Sequence, residues 1–218
     1  MKKVVISLFV LAITFTACKD SGKKIETKEA QEVEIVKKAE TVTFDKVKEG
    51  SELKWRASHL GGTGARFGKA KLKSGNVLLN NNKVTNAKFI MDLSSLTVDN
   101  FDDAEQKGQL EGHLKSADFF NIEKYPTVIF ELTKVEETKG VYNSKITGNL
   151  TILETTKSIT FNANITVLAN SVAISSEDFS VNRQDWKLSY HTEGDAGVPK
   201  DYLIANTIGF TIDVAVTK

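Results

Sequence analysis

Strict alternation of apolar and polar residues, repeated segment after segment, is the feature that most limits what this chain can fold into. Leu53, Trp55 and Ala57 fall on one face against Glu52, Lys54 and Arg56, and Ala87, Phe89, Met91 and Leu93 alternate with Lys88, Ile90 and Asp92. Further on, Ile146, Gly148, Leu150 and Ile152 alternate with Lys145, Thr147, Asn149 and Thr151. A turn at Glu154 to Lys157 then leads into Ile159, Phe161, Ala163, Ile165 and Val167. A period of two places every second side chain on one face of a strand, so these segments read as half-buried antiparallel strands, the last two joined as a hairpin. Val172 to Ser176, Phe179 to Asn182 and Ile208 to Val216 bring the total to about eight strands.

So many amphipathic strands leave exposed edges unless the sheet closes on itself. The expectation is therefore an all-β fold with a short helical insertion, a closed or nearly closed antiparallel β-barrel of about eight strands. A two-sheet sandwich is the alternative, because both architectures bury every second residue. An eight-stranded interior is just wide enough to be filled by side chains or to hold one small ligand.

The helical insertion is expected over Phe101 to Ser116, divided near Gly108. Asp102, Asp103, Glu105 and Glu111 lie around it, where acidic groups ordinarily cap a helix and complement its dipole. Pro126 ends the stretch that follows, since proline has no backbone donor and pushes Tyr125 out of helical geometry. A strand then starts at Thr127, with Val128, Phe130 and Leu132 on one face.

The first residues have a different character. Lys2 and Lys3 precede an apolar run from Val4 to Phe15, then Thr16, Ala17 and Cys18, the one cysteine in the chain. This is the pattern of a secretory signal, and the run is shorter than the ~18 residues that span a bilayer comfortably. Phe15-Thr16-Ala17-Cys18 resembles a bacterial lipoprotein processing box, with phenylalanine where leucine is most frequent. Cys18 has no disulfide partner, so lipidation there is the expectation. The organisation expected is a signal peptide over 1–17, a lipidated flexible tether over 18–40 and one barrel domain over 41–218. Residues 19–40 are dense in Lys and Glu, with too little apolar surface to offset the entropy of ordering them.

Removing Lys2 and Lys3 leaves 27 basic against 28 acidic groups. That near-neutral balance, with no basic run carrying interleaved aromatics, points away from nucleic acid as a partner. His59, His113 and His191 are the only histidines, and none stands at a short metal-ligand interval from another. No nucleophile elbow, phosphate loop or dinucleotide fingerprint is present, so neither an enzyme nor a metal or cofactor site is expected. A metal-dependent hydrolase is the weakest alternative.

One stretch carries a family resemblance. The ungapped order G-H-L-K-S-x-D-F-F-x-x-E-K-Y-P-T-x-x-F over Gly112 to Phe130 resembles the signature of the YceI-like family, lipocalin-shaped barrels associated with polyisoprenoid and other lipid-like ligands. Ser51 to His59 with Gly64, Phe67 and Gly68, and Lys88 to Leu96, are similar to further parts of that pattern. Gly148 to Ile152 and Val181 to Trp186 are similar too, but Glu154 and Lys187 stand where the family commonly has glycine.

The resemblance implies an apolar tunnel and a bound isoprenoid-like or acyl lipid, needing no other cofactor. The candidates for its lining are Trp55, Phe67, Phe89, Met91 and Phe130, with Phe161 and Phe210 on later strands. Phe119 and Phe120 are placed to close one mouth. His113 is expected to tether the helix by a hydrogen bond or to lie at that mouth. Arg183 is a candidate for an anionic headgroup, or for a structural pair with Asp185. The implied role is storage, transport or protection of a lipid in the bacterial envelope, from an anchor in the outer membrane facing the periplasm. A barrel filled by its own side chains, acting as an envelope interaction module, is the alternative. Protein partners, including a second copy, are left open.

Overall fold

The computed structural model describes residues 22–35 and 41–218. The expected signal peptide, Cys18 and part of the expected tether lie outside the described residues. In chain order the strands are β1 (Lys23–Lys24), β2 (Lys28–Glu29), β3 (Val42–Phe44), β4 (Lys46–Val47), β5 (Glu52–Ala57), β6 (Arg66–Asn80) and β7 (Lys83–Val98). Helix α1 (Ala104–Lys115) follows, then β8 (Thr127–Glu137), β9 (Ser144–Ile152), β10 (Thr155–Leu168), β11 (Ser171–Ser176), β12 (Phe179–Asn182) and β13 (Thr207–Thr217).

The expected barrel forms. Sequential strands from β5 to β10 pair antiparallel with their neighbours, β11 pairs with β10 and β13, and β13 pairs with β5 to close the ring. β11 and β12 act as one wall strand broken at Glu177 and Asp178, giving eight staves in all. Closure explains why alternation runs so consistently: each stave turns one face to the core and the other to water. The core is continuous from Phe44, Val77 and Val216 at one end to Trp186 and Leu188 at the other.

Helix α1 is a single unbroken helix, contrary to the expected division at Gly108. One exposed glycine costs only about 1 kcal/mol against alanine, and both ends are held. Asp103 caps the N-terminus by accepting from Gln106 N at 2.8 Å, and Glu111 accepts from Val98 N at 2.8 Å, tying the helix to the end of β7. The acidic cluster is structural in that sense.

Residues 22–31 are a second departure, because they are not a loose tether. β1 runs parallel to β12 and β2 antiparallel to β10, and Ile25 between them is only 8% exposed. Their Lys and Glu side chains face water while backbone pairing and this one isoleucine do the holding, which composition could not reveal. Among the described residues, no helix is long and apolar enough to cross a membrane.

Candidate functional site

The barrel encloses an apolar cavity of about 140 Å³. Its walls run from Val84, Val135 and Ile165 at one end to Leu114, Leu188 and Ile204 at the other. Trp55, Phe89, Met91, Phe130, Phe161 and Phe210 all line it. A chain of rings crosses the strands on the inner wall. Phe130 and Phe161 lie 5.8 Å apart, Phe161 and Phe179 stack at 4.9 Å and 7°, and Phe179 and Phe210 are 5.9 Å apart.

Glycines explain how so many rings fit without closing the bore. A Cβ on Gly148 would meet Phe130 Cζ, and one on Gly75 would lie 3.1 Å from Phe89 Cδ1. Those rings lie back against bare backbone on the barrel wall. Gly68 leaves room in the same way for the Trp55 indole, whose Nε1 donates to Thr97 O at 3.1 Å. Phe67 is placed elsewhere: it is 49% exposed and outside the lining. With Gly68, Ala70 and Leu72 facing in, the phase of β6 turns Phe67 out.

Two segments roof the end near α1. One follows the helix and carries Phe119 and Phe120, both in the cavity wall. The other spans residues 183–206 and carries Leu188 and Ile204. They meet through aromatic rings: His113 sits edge-on to Phe119 at 5.1 Å and to Tyr190 at 4.9 Å, and Tyr190 stacks on His191 at 3.9 Å. His113 is at the mouth but outside the cavity wall. Its hydrogen-bonding neighbour is Asp118 Oδ2 at 3.2 Å, so it joins helix to roof by ring packing rather than by a hydrogen bond to the barrel.

Arg183 departs from both roles expected of it. Its guanidinium donates to Ala205 O at 3.1 Å, Leu188 O at 2.5 Å, Ile204 O at 3.2 Å and His191 O at 3.4 Å. Those bonds draw the second roof segment closed on itself, its start held against its end, and burial pushes the guanidinium pKa down while Glu193 opposes it. Asp185 instead accepts from Thr27 Oγ1 at 2.6 Å. Among the described residues, the one charged group on the cavity wall is thus committed to backbone, leaving hydrocarbon to face the space. Among the described residues, no group of three His, Cys, Asp or Glu side chains is placed to hold a metal ion.

The two missing glycines have found each other. Lys187 adopts the left-handed conformation at φ 62°, and its Nζ lies 3.3 Å from Glu154 Oε1. Tyr125 Oη donates to Glu154 Oε2 at 3.1 Å. The Tyr125 hydroxyl and then Lys187 hold the Glu154 carboxyl below its ordinary pKa. A shallow second pocket, including Asn121, Tyr125, Glu154 and Lys187, lies on the far side of Phe119. Leu188, Ile204 and Phe179 line the space and Tyr190 packs in the roof, although none of the four is among the site residues expected from the sequence. Phe179 alternates with Val181 and could have been read inward; the roof residues sit in irregular chain with no period to read.

A family model described as the YceI-like domain matches residues 34–216. The chain belongs to the YceI-like family. A UPF0312 protein of Pseudomonas putida strain W619 is 33% identical over 120 residues, covering 55% of this chain and 59% of that relative. A UPF0312 protein of Shewanella baltica strain OS155 is 32% identical over 113 residues, 52% of this chain and 56% of the relative. The chain thus spans less than two thirds of the length of these curated relatives. Among solved structures, a polyisoprenoid-binding domain from Saccharophagus degradans, described as implicated in plant cell wall breakdown, superposes with a TM-score of 0.59. It is 14% identical, over 81% of this chain and 99% of that one. Burkholderia cenocepacia BcnA gives a TM-score of 0.53 at 15% identity, over 77% of this chain and 96% of its own. At such identities the likeness of this YceI-like domain to both is one of fold.

Proposed function

We propose that this YceI-like domain is a binding protein, not an enzyme, which holds the hydrocarbon part of one elongated apolar molecule, isoprenoid-like or acyl, inside the barrel. The observation that carries this reading is a bore whose only charged wall residue among the described residues, Arg183, has its guanidinium bound to four backbone carbonyls. A guest with no hydrogen-bonding groups loses nothing in such a space and gains about 25 cal/mol for each Å² of apolar surface withdrawn from water, before ordering costs. The fold shared with a polyisoprenoid-binding domain supports the same class of guest.

The cavity of about 140 Å³ sets a scale. It is similar to an engineered apolar cavity of roughly 150 Å³ that admits benzene, so it takes one isoprene-sized unit as it stands. A longer chain is accommodated as the wall rings and Met91 change rotamer, Met91 being the most adaptable of them. An interior packed solid by its own side chains, the alternative module, would leave no such space.

The cellular role follows the same line: storage, transport or protection of the lipid in the envelope, from an acyl anchor on Cys18 in the outer membrane, facing the periplasm. Mass spectrometry of an organic extract of protein purified from its own envelope tests the binding reading. The expected result is a stoichiometric isoprenoid or acyl lipid. An extract with no such lipid, from protein that also fails to take up cis-parinaric acid, would overturn it.

A further inference from the structure

At one joint of the barrel wall the staves are bridged by a separate segment of chain. β10 and β11 pair only over Ala163 to Leu168, and at the end of that ladder Glu177 clamps Asn162. Glu177 N donates to Asn162 O at 2.8 Å, and the Glu177 carboxylate accepts from Asn162 N at 2.8 Å and Nδ2 at 3.0 Å. Beyond the clamp, towards the roof, β10 and β12 separate and do not pair with each other.

Residues 22–31 fill the slot between them. Lys23 and Lys24 pair with Phe179 and Ser180 on one side, and Lys28 and Glu29 with Ser158 and Lys157 on the other. Ile25 N donates to Ser180 O at 2.9 Å, and the Ile25 side chain is buried in the core. Directly inside the slot, Phe161 of β10 and Phe179 of β12 stack face to face, and both line the bore. At this place a ligand chain in the bore is separated from the outside by two rings and a short strap.

The strap is held lightly for a piece of barrel wall. Each of its ladders is two residues long, whereas β6 and β7 pair along most of their length. Besides the ladders it has scattered single ties: Lys23 N to Asp178 O, Ser180 Oγ to Gly22 O, Thr27 to Asp185, Lys157 to Glu29 at 2.6 Å, Thr133 to the Gln31 side chain, an exchange between Gln31 and Asn149 at 2.8 and 2.6 Å, and an ion pair of Lys23 with Glu177 at 3.6 Å. Glu29 is almost fully exposed, where ion pairs contribute little. Few buried apolar contacts and short ladders mark the segments that open first. The roof is the opposite case: Arg183 holds its second segment closed on itself with four hydrogen bonds, and the His113, Phe119 and Tyr190 rings join the two segments. The strap also lies outside the residues matched by the family model, which begin at 34.

We propose that residues 22–31 are a releasable strap over a lateral door between β10 and β12, and that apolar chains pass into and out of the bore through this door rather than through the roof. The proposal rests on the reading of the bore as a site for an apolar chain.

The test locks the strap. In the full mature chain carrying Cys18→Ser, Glu29→Cys and Lys157→Cys place two thiols directly opposite each other in an antiparallel pair, the spacing a disulfide needs. Uptake and release of cis-parinaric acid are followed by stopped-flow fluorescence in the oxidised and reduced protein. Oxidation is expected to slow both at least tenfold with the Kd unchanged, and Ile25→Ala, checked by circular dichroism, to speed both. Equal rates in the oxidised and reduced forms, with the probe bound, overturn the door and leave the bore standing. Absence of binding to the reduced form overturns the bore and the door together.

Discussion

Three of the aromatic side chains that line the bore owe their positions to residues that have no side chain. Trp55 lies over Gly68, Phe89 over Gly75 and Phe130 over Gly148. A methyl group at Gly75 or Gly148 would push a ring inward, and one at Gly68 would collide with the Thr97 carbonyl and crowd the indole, so the free space depends on glycines that are not in the positive-φ region. Gly75→Ala is the informative change: its Cβ would lie 2.8 Å from Val216 Cγ1 and 3.1 Å from Phe89 Cδ1. Overpacking of this kind costs about 1–3 kcal/mol, and the ring gives way into the cavity. We expect a lower urea midpoint together with at least threefold weaker binding of cis-parinaric acid. Unchanged affinity in the folded variant would mean that Phe89 does not limit the space. Lys187 shows the converse, a side chain kept where backbone geometry prefers none, at a cost of roughly 1–2 kcal/mol for the left-handed conformation.

At the scale of elements, the β9–β10 turn is joined to the segment after α1 and to the turn after β12 through one carboxylate. Glu154 accepts from Tyr125 and pairs with Lys187, and its pKa is lowered in the folded chain by the Tyr125 bond first. A folded-state pKa below the unfolded one adds stability at pH values above the unfolded value, and that stability is lost as pH falls through the folded value. The midpoint difference between wild type and Glu154→Gln is therefore expected to be constant near neutral pH and to shrink on the acid side of the ordinary carboxylate range. Thermal melts across pH check this, and a difference that grows with acid would contradict it. Elements of this kind divide sharply in how readable they were. The strands of the barrel wall were legible because a two-residue period forces one face inward, and α1 because its capping acids precede a helical run. The strap was not, since Lys23 to Glu29 reads as solvated charge and only the slot between β10 and β12 orders it. The role of Arg183 was hidden for a related reason: its partners are backbone carbonyls, which leave no mark in a sequence. Phe67 shows the limit of a pattern, where the inward Gly68, Ala70 and Leu72 fix the strand phase and a motif match alone does not.

For the whole molecule, the barrel should behave as a container with a definite capacity. Each methylene buried is worth about 0.8 kcal/mol, close to fourfold in affinity. In a series of primary alcohols of increasing length, that increment is expected until the 140 Å³ space is filled, with smaller gains once rings must move. Calorimetry should show a negative heat-capacity change throughout, the mark of apolar burial. A flat series would show that the guests stay on the surface. The strap also dictates an order of assembly. Residues 22–31 are made early, yet the strands they join, β10 and β12, lie about 130 to 155 positions later in the chain. The first-made part of the described chain therefore cannot find its seat until residues up to Ser180 exist, and Ile25 stays wet until then.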